Sequence, residues 1–166
     1  MTQIADLTIA GAVTEDAGEV LTLQRAAYLT EGALHDDFTL PPLVETLDEI
    51  RAAITGGEVR KAVLGTRIVG TVRARLDGQT CHIGRLAVAP DLQGHGIGSR
   101  LIADVEQRWA DRVARFELFT GPKSEPNIRL YRRLGYHDMP TPHGAEPLVF
   151  LEKLPSRVGA VEDGLT

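Results

Sequence analysis

Gly94, Gly96 and Gly98 stand at alternate positions in the stretch Leu92-Gln93-Gly94-His95-Gly96-Ile97-Gly98-Ser99-Arg100. Residues without a Cβ let a chain turn sharply, take positive φ and bring bare amides close to a ligand. Before the glycines, Cys81 to Val88 reads as a strand closed by Pro90. After them, Ile97, Leu101, Ile102, Val105 and Trp109 recur at the spacing of an amphipathic helix. A turn that opens onto a helix N-terminus presents unpaired N–H groups and about half a positive charge, so its natural guest is a phosphate or pyrophosphate. A Walker loop is excluded, because Ser99-Arg100 follow Gly98 where Lys-Ser/Thr is required. The dinucleotide pattern also fails: started at Gly94, it puts Ser99 where its third glycine belongs.

A second set of reactive groups lies further on. Ser124 to Leu134 reads as a helix, with Ser124 as its cap and Pro126 tolerated in the first turn. Ser124, Asn127 and Tyr131 are spaced by three and four, so they share one narrow arc of that helix. A positioned Tyr131 hydroxyl, with an ordinary pKa of about 10, could give a proton or a charge-assisted hydrogen bond to an anionic group. The scattered histidines show no metal-ligand spacing, so no metal is assigned.

The elements that must hold these groups can be read in order. A first strand spans Leu7 to Val13, and Thr14 or Asp16 caps a helix carrying Val20, Leu21, Leu23, Ala27 and Tyr28. A loop from Thr30 to Pro42 ends in a double proline that should block helix. A second helix, Leu43 to Ile54, shows Leu43, Leu47, Ile50 and Ile54 on one face and stops at Gly56-Gly57. Strands at Glu58 to Leu64 and Ile68 to Leu76 flank a turn, and Asp77-Gly78 turns the chain into the strand that ends at Val88. Beyond the glycine helix come a strand at Phe116 to Thr120, the Ser124 helix, and strands at Tyr136 to Met139 and Leu148 to Leu154.

At 166 residues the chain suits one domain, expected over 1–155, with a flexible tail from 156 to 166. The net charge of −5 and the absence of a dense Lys/Arg block argue against a nucleic-acid partner. Cys81 is the single cysteine, so an internal disulfide is excluded and a buried thiol is expected. No signal peptide or membrane-length apolar run is visible, which sets a soluble, cytoplasmic protein as the expectation.

Two segments carry a family resemblance. Gln93-x-x-Gly96-x-Gly98, after a strand ending Leu-Ala-Val-x-Pro, resembles the pyrophosphate-binding motif Q/R-x-x-G-x-G/A of GNAT-superfamily acetyltransferases. Leu130-Tyr131, Arg133 and Gly135-Tyr136 resemble a second family segment, N-x-x-A-x-x-L-Y-x-K-x-G-F/Y. Here Ser124 takes the asparagine position and Asn127 the small-residue position. The order of elements over residues 4–154 is also similar to that fold. The resemblance implies an α/β (α+β) protein with a mixed, mostly antiparallel sheet of about seven strands flanked by four helices.

It further implies an N-acetyltransferase that takes acetyl-CoA as donor and a primary amine, small or on a protein, as acceptor. Coenzyme A would be held by Leu86, Ala87, Val88, Gln93, Gly94, His95, Gly96, Ile97, Gly98, Ser99 and Arg133, with Ser124 or Asn127 adding a polar contact. The Val88 N–H would polarise the acetyl carbonyl, and Tyr131 would assist departure of the thiolate. The strand before the turn and the next strand would splay to admit the pantetheine arm. No membrane partner is implied, and a homodimer is left open.

The proton acceptor is not evident. Relatives often carry a glutamate where this chain has Gly84. His82, on the same face as Gly84, Leu86 and Val88 because a strand has a period of two, is one substitute. His35, Asp36, Asp37, Glu45, His137 and His143 lie in other segments that can reach an acceptor site in that fold. Asp36 and Asp37, with Glu31 and Glu45, could give the acceptor mouth a negative potential. The missing glutamate also leaves open a non-catalytic acyl-CoA-binding domain, or an acyltransferase with another acyl group or acceptor.

Overall fold

The computed structural model describes residues 4–145 and 147–156. The expected tail therefore lies, from residue 157 on, outside the described residues. The elements run β1 (Thr8–Gly11), α1 (Ala17–Leu34), α2 (Pro41–Val44), α3 (Leu47–Thr55), β2 (Val59–Leu64), β3 (Arg67–Asp77), β4 (Thr80–Val88), α4 (Ile97–Trp109), β5 (Arg115–Thr120), α5 (Glu125–Arg133), β6 (His137–Met139) and β7 (Val149–Lys153). Short 3-10 turns precede α1 and α4, at Thr14–Asp16 and Pro90–Leu92.

The strands form one sheet in the order β1-β2-β3-β4-β5-β7-β6. Among the described residues only the central β4–β5 pair is parallel; the other pairings are antiparallel. The described residues form four helices of two turns or more that flank this sheet, as expected, and a single-turn helix, α2, is added to them. No helix among the described residues is long and apolar enough to cross a membrane.

The sheet is covered on both faces because β3 is apolar on both. Gly70 meets α4 so closely that a Cβ there would lie 2.8 Å from Ile97 and 2.9 Å from Leu101. The absent side chain thus sets how near the glycine helix sits to the strands. Ile97, Leu101, Ile102 and Val105 are fully or almost fully buried along this seam. An Arg60–Asp104 pair, with contacts of 2.7 and 3.1 Å, clamps α4 to β2. On the opposite face α1 packs over β3 and β4 through Val20, Leu23 and Gln24.

Three local readings are corrected by the structure. The double proline starts a helix rather than blocking one. Pro41 and Pro42 occupy the first turn of α2, where the missing N–H groups would have no intrahelical acceptor. The helix expected from Leu43 to Ile54 is split at Glu45, whose ψ of 135° is extended, and restarts after Thr46. Thr46 and Glu49 form a reciprocal capping box that defines the new start.

The third correction concerns β4. Thr71 pairs with Ala87 and Arg73 with Gly84, so two residues, Arg85 and Leu86, stand opposite Val72. This bulge reverses the alternation. His82 and Gly84 share the α1 face, whereas Leu86 and Val88 point to the α4 face. Arg85 takes φ of 50°, a left-handed conformation that costs a non-glycine residue about 1–2 kcal/mol.

Candidate active site

The ladder between β4 and β5 has three rungs, Thr80↔Arg115, Cys81↔Phe116 and His82↔Glu117, and then stops. Beyond it the two strands part, and residues 83–88 of β4 no longer pair with 118–120 of β5. Ala89 N–H donates to Val69 O at 2.9 Å. Successive amides of a strand alternate between its edges, so the Val88 N–H is directed toward the β5 side, where no ladder exists.

At the wide end of this gap lies the glycine turn. Gly94 and Gly96 have φ of 82° and 79°, and a Cβ at either would meet open space. Backbone conformation, not crowding, is what demands glycine there. Gly96 is the N-cap of α4, and the first backbone bond of the helix is Arg100 N–H to Gly96 O at 3.1 Å. The amides of Ile97, Gly98 and Ser99 therefore precede the first intrahelical acceptor and are oriented out of the helix end. The Ile97 side chain is in the core, so only its backbone can serve a ligand. Gly98 is helical, and a Cβ added there would come into van der Waals range of Leu86, Val88 and Leu130, so the end of β4 and α5 lie close to the first turn of α4.

On the α1 face, beside the parted strands, lies a cleft of about 750 Å³. Tyr131 and Tyr28 line it from α5 and α1. The Tyr131 side chain is buried and packs edge-on against Tyr136. Burial, with the nearby Tyr28 and Glu31, raises the Tyr131 phenol well above its ordinary value. Burial likewise pushes Tyr28 up to about 12. Both phenols therefore stay protonated and able to donate.

Ser124 occupies the N-cap position of α5 but makes no side-chain cap bond. It is buried, and its hydroxyl donates instead to the Glu31 carboxylate of α1. Asn127 Nδ2 lies 3.5 Å from the other Glu31 oxygen, and Asn127 lines the cleft, whereas Ser124 does not. Arg133 is exposed on the last turn of α5, away from the cleft lining. Gln93 and His95 flank Gly94 at the glycine turn.

The structure separates the residues considered as proton acceptors. His82 lines the cleft at its narrow end, with Nδ1 3.9 Å from Glu117 Oε1 and Nε2 3.8 Å from Asp77 Oδ2. His35 also lines the cleft, but both ring nitrogens are engaged. Its Nδ1 is 3.0 Å from Glu31 O, so Nε2 accepts from Lys123 N–H at 3.4 Å. Asp37 Oδ1 accepts from the Thr39 amide and hydroxyl at 2.8 and 2.6 Å. Asp36, His137 and His143 are exposed outside the cleft.

Glu45 is fully committed. It accepts from Arg73 at 2.7 and 2.9 Å, from Gln24 at 3.2 Å and from Arg85 at 3.4 Å. Burial opposes its charge, but the bonds from Arg73 and Gln24 and the charges of Arg73 and Arg85 outweigh it and hold the carboxyl at about 2. A carboxylate so stabilised is a poor proton acceptor.

Sequence reading missed Tyr28, Arg73, Arg85 and Glu117 as site residues, while Glu31, expected at the acceptor mouth, does line the cleft. A signal existed for Tyr28. Gln24, Tyr28, Glu31 and His35 continue one helical stripe, at spacings of four, three and four, past the point where a loop was expected.

Comparison with known proteins agrees with this geometry. Residues 27–136 match the family model described as the acetyltransferase (GNAT) family. The fold is similar to that of the PaiA N-acetyltransferase of Thermoplasma acidophilum, solved with coenzyme A, at TM-score 0.74 and 14% identity over 89% of this chain and 98% of that one. It is similar to the ribosomal-protein-S18-alanine N-acetyltransferase of Escherichia coli at TM-score 0.72 and 18% identity, over 93% and 97% of the two chains. N-acetylglutamate synthase of Neisseria gonorrhoeae, complexed with coenzyme A and N-acetyl-glutamate, matches at TM-score 0.75 and 16% identity over 93% of this chain and 36% of that one. No curated protein sequence matches the chain significantly. Fold and family together define an acyltransferase with acetyl-CoA as donor. The chain belongs to the GNAT acetyltransferase family.

Proposed function

We propose that this protein transfers the acetyl group of acetyl-CoA directly to a primary amine. The observation that carries the reading is the parting of β4 and β5 beyond the His82↔Glu117 rung, between the glycine turn at one end and the cleft at the other. An extended pantetheine arm fits such a gap, with its backbone-like amides taking the place of a missing ladder.

In this reading the pyrophosphate sits on the amides of the Gln93–Ser99 turn, and Asn127 rather than buried Ser124 supplies the polar contact from α5. The Val88 N–H, together with the bulge before it, polarises the acetyl carbonyl and steadies the tetrahedral oxyanion. His82 takes the amine proton, with its Nδ1 3.9 Å from Glu117 Oε1. The amine nitrogen bonds to the acetyl carbon and the carbon–sulfur bond breaks. Tyr131 then stabilises the departing thiolate through its hydroxyl. Its raised pKa makes a strong hydrogen bond a better description than full proton transfer. A cytoplasmic location accords with the donor and with a reduced, buried Cys81.

The experiment is to incubate the protein with acetyl-CoA and a panel of amines, following free thiol and the acetylated product by mass spectrometry. Thiol release matched mole for mole by acetylamine is the expected result. Absence of coenzyme A binding by calorimetry would remove the reading.

A further inference from the structure

We infer that Glu31 is a positioning residue for the reaction: from the last turn of α1 it fixes the start of α5, and through α5 it sets where the Tyr131 hydroxyl stands in the cleft. The inference rests on the acetyltransferase reading above, in which that hydroxyl serves the departing thiolate.

The helix α5 cannot hold its own place. It has nine residues, fewer than the roughly 12 to 15 that an isolated helix needs in water. Its cap residue, Ser124, makes no side-chain cap bond, and Tyr131 is the one buried residue within it. The C-terminal end is tied down locally, by the Tyr136 N–H to Tyr131 O bond at 3.0 Å and by the edge-on contact of the two rings. The N-terminal end is tied to α1. One Glu31 carboxylate oxygen accepts from the Ser124 hydroxyl, and the other accepts from Asn127 Nδ2 at 3.5 Å. Ser124 is buried, so its bond is shielded from competing water. One turn on, His35 Nε2 accepts from the Lys123 N–H at 3.4 Å, and its ring lies so close to Gly121 that a Cβ there would overlap it. The His35 ring is held in turn through Nδ1, 3.0 Å from the Glu31 carbonyl oxygen.

A carboxylate suits this place. The first turn of α5 carries the positive end of the helix dipole, which favours an anion beside it. Two oxygens taking two donors fix the rotation of the helix about its axis as well as its position. Ser124, Asn127 and Tyr131 share one arc, so a rotation at the first two is a rotation at Tyr131. A displacement of about 1 Å at a reacting group can cost about a hundredfold in rate. Glu31 is also close enough for its charge, after burial and Tyr28, to help keep the Tyr131 phenol protonated.

The test is a double-mutant cycle, read in kcat at saturating acetyl-CoA with the fastest amine of the panel above. Glu31→Ala should lower kcat by about ten- to a hundredfold, and Glu31→Gln, which keeps an acceptor for Ser124, should recover most of it. In a Tyr131→Phe background Glu31→Ala should cost no more than about twofold, because the group it acts through is already gone. Ser124→Ala removes the same contact with a smaller lesion and should repeat the pattern. Amide exchange, which needs no acceptor, should quicken over α5 in Glu31→Ala and stay unchanged over α4. Wild-type kcat in both Glu31→Ala and Ser124→Ala, equal losses with and without the Tyr131 hydroxyl, or unchanged exchange over α5 would overturn the inference. Calorimetry with coenzyme A on the wild type separates the two levels. Donor binding with equal losses in the two backgrounds sinks this inference alone, while no donor binding sinks the acetyltransferase reading with it.

Discussion

His82 and Glu117 face each other across the last rung of the parallel ladder, with Nδ1 3.9 Å from Oε1, at the point where β4 and β5 part. Glu117 is buried and anchored by Arg115, so its carboxyl group is held in place beside a partly exposed imidazole. His82→Gln is expected to lower kcat/KM at neutral pH by about 10²- to 10⁴-fold. The variant should then depend on the free amine, its rate rising about tenfold per pH unit below the pKa of the acceptor. A pH–rate profile in His82→Gln that overlays the wild type would exclude His82 as the proton acceptor.

Gly96 tests the donor end. Its φ of 79° is reachable by a β-branched residue only with strain, and it caps the helix whose amides are offered to the ligand. Wild type at about a hundred times the dissociation constant of coenzyme A should gain about 2.7 kcal/mol of stability. Gly96→Val should lose most of that gain. Melting with and without ligand separates the two effects, because strain alone lowers the unliganded melting temperature and leaves the ligand shift intact.

The donor half of the site is legible in the sequence because its signals are local. Gly94 and Gly96 serve their turn through their own φ, and the stripe Ile97, Leu101, Ile102 and Val105 names the helix behind them. Pairing within β2, β3 and β4 follows from short turns such as Asp77-Gly78. The acceptor half is built from long-range pairs. Glu45 meets Arg73 and Arg85 across 28 and 40 residues, and Glu31 meets Ser124 across 93. No spacing rule connects such partners. The β4 bulge is hidden for a different reason: Arg85 carries none of the usual marks of a positive-φ position, so strict alternation put Leu86 and Val88 on the wrong face.

Glu45 makes acid stability a test of its pairing with Arg73 and Arg85. Its folded-state pKa of about 2 lies below the ordinary 4.5. A depressed carboxylate contributes stability that is fully present above the ordinary value and is lost as pH falls through the folded one. The wild type should therefore lose stability between about pH 4.5 and 2 in step with this group. Glu45→Gln should be less stable at neutral pH by about 3 kcal/mol, the lower end for a broken buried pair because both guanidiniums keep some solvent access. Its denaturant midpoint should also change less over that acid window. An unaltered acid slope in Glu45→Gln would show that other carboxylates govern it.

Tyr131→Phe isolates one oxygen. The ring packs edge-on against Tyr136 at 6.3 Å between centroids, and phenylalanine preserves that contact. The hydroxyl's state is set by burial and the nearby Tyr28 and Glu31, with no hydrogen bond among its causes, so its removal should barely alter the melting temperature. Donor binding should survive, because the glycine turn is untouched. Turnover should fall, by about 10²- to 10⁴-fold if leaving-group assistance is the role of Tyr131. An acyl donor with a more acidic thiol departs with less help and should partly restore the rate. That rescue separates loss of leaving-group assistance from loss of packing, since a packing defect would slow both donors alike. Wild-type kcat in a well-folded Tyr131→Phe protein would remove Tyr131 from the reaction and assign the thiolate's proton to solvent.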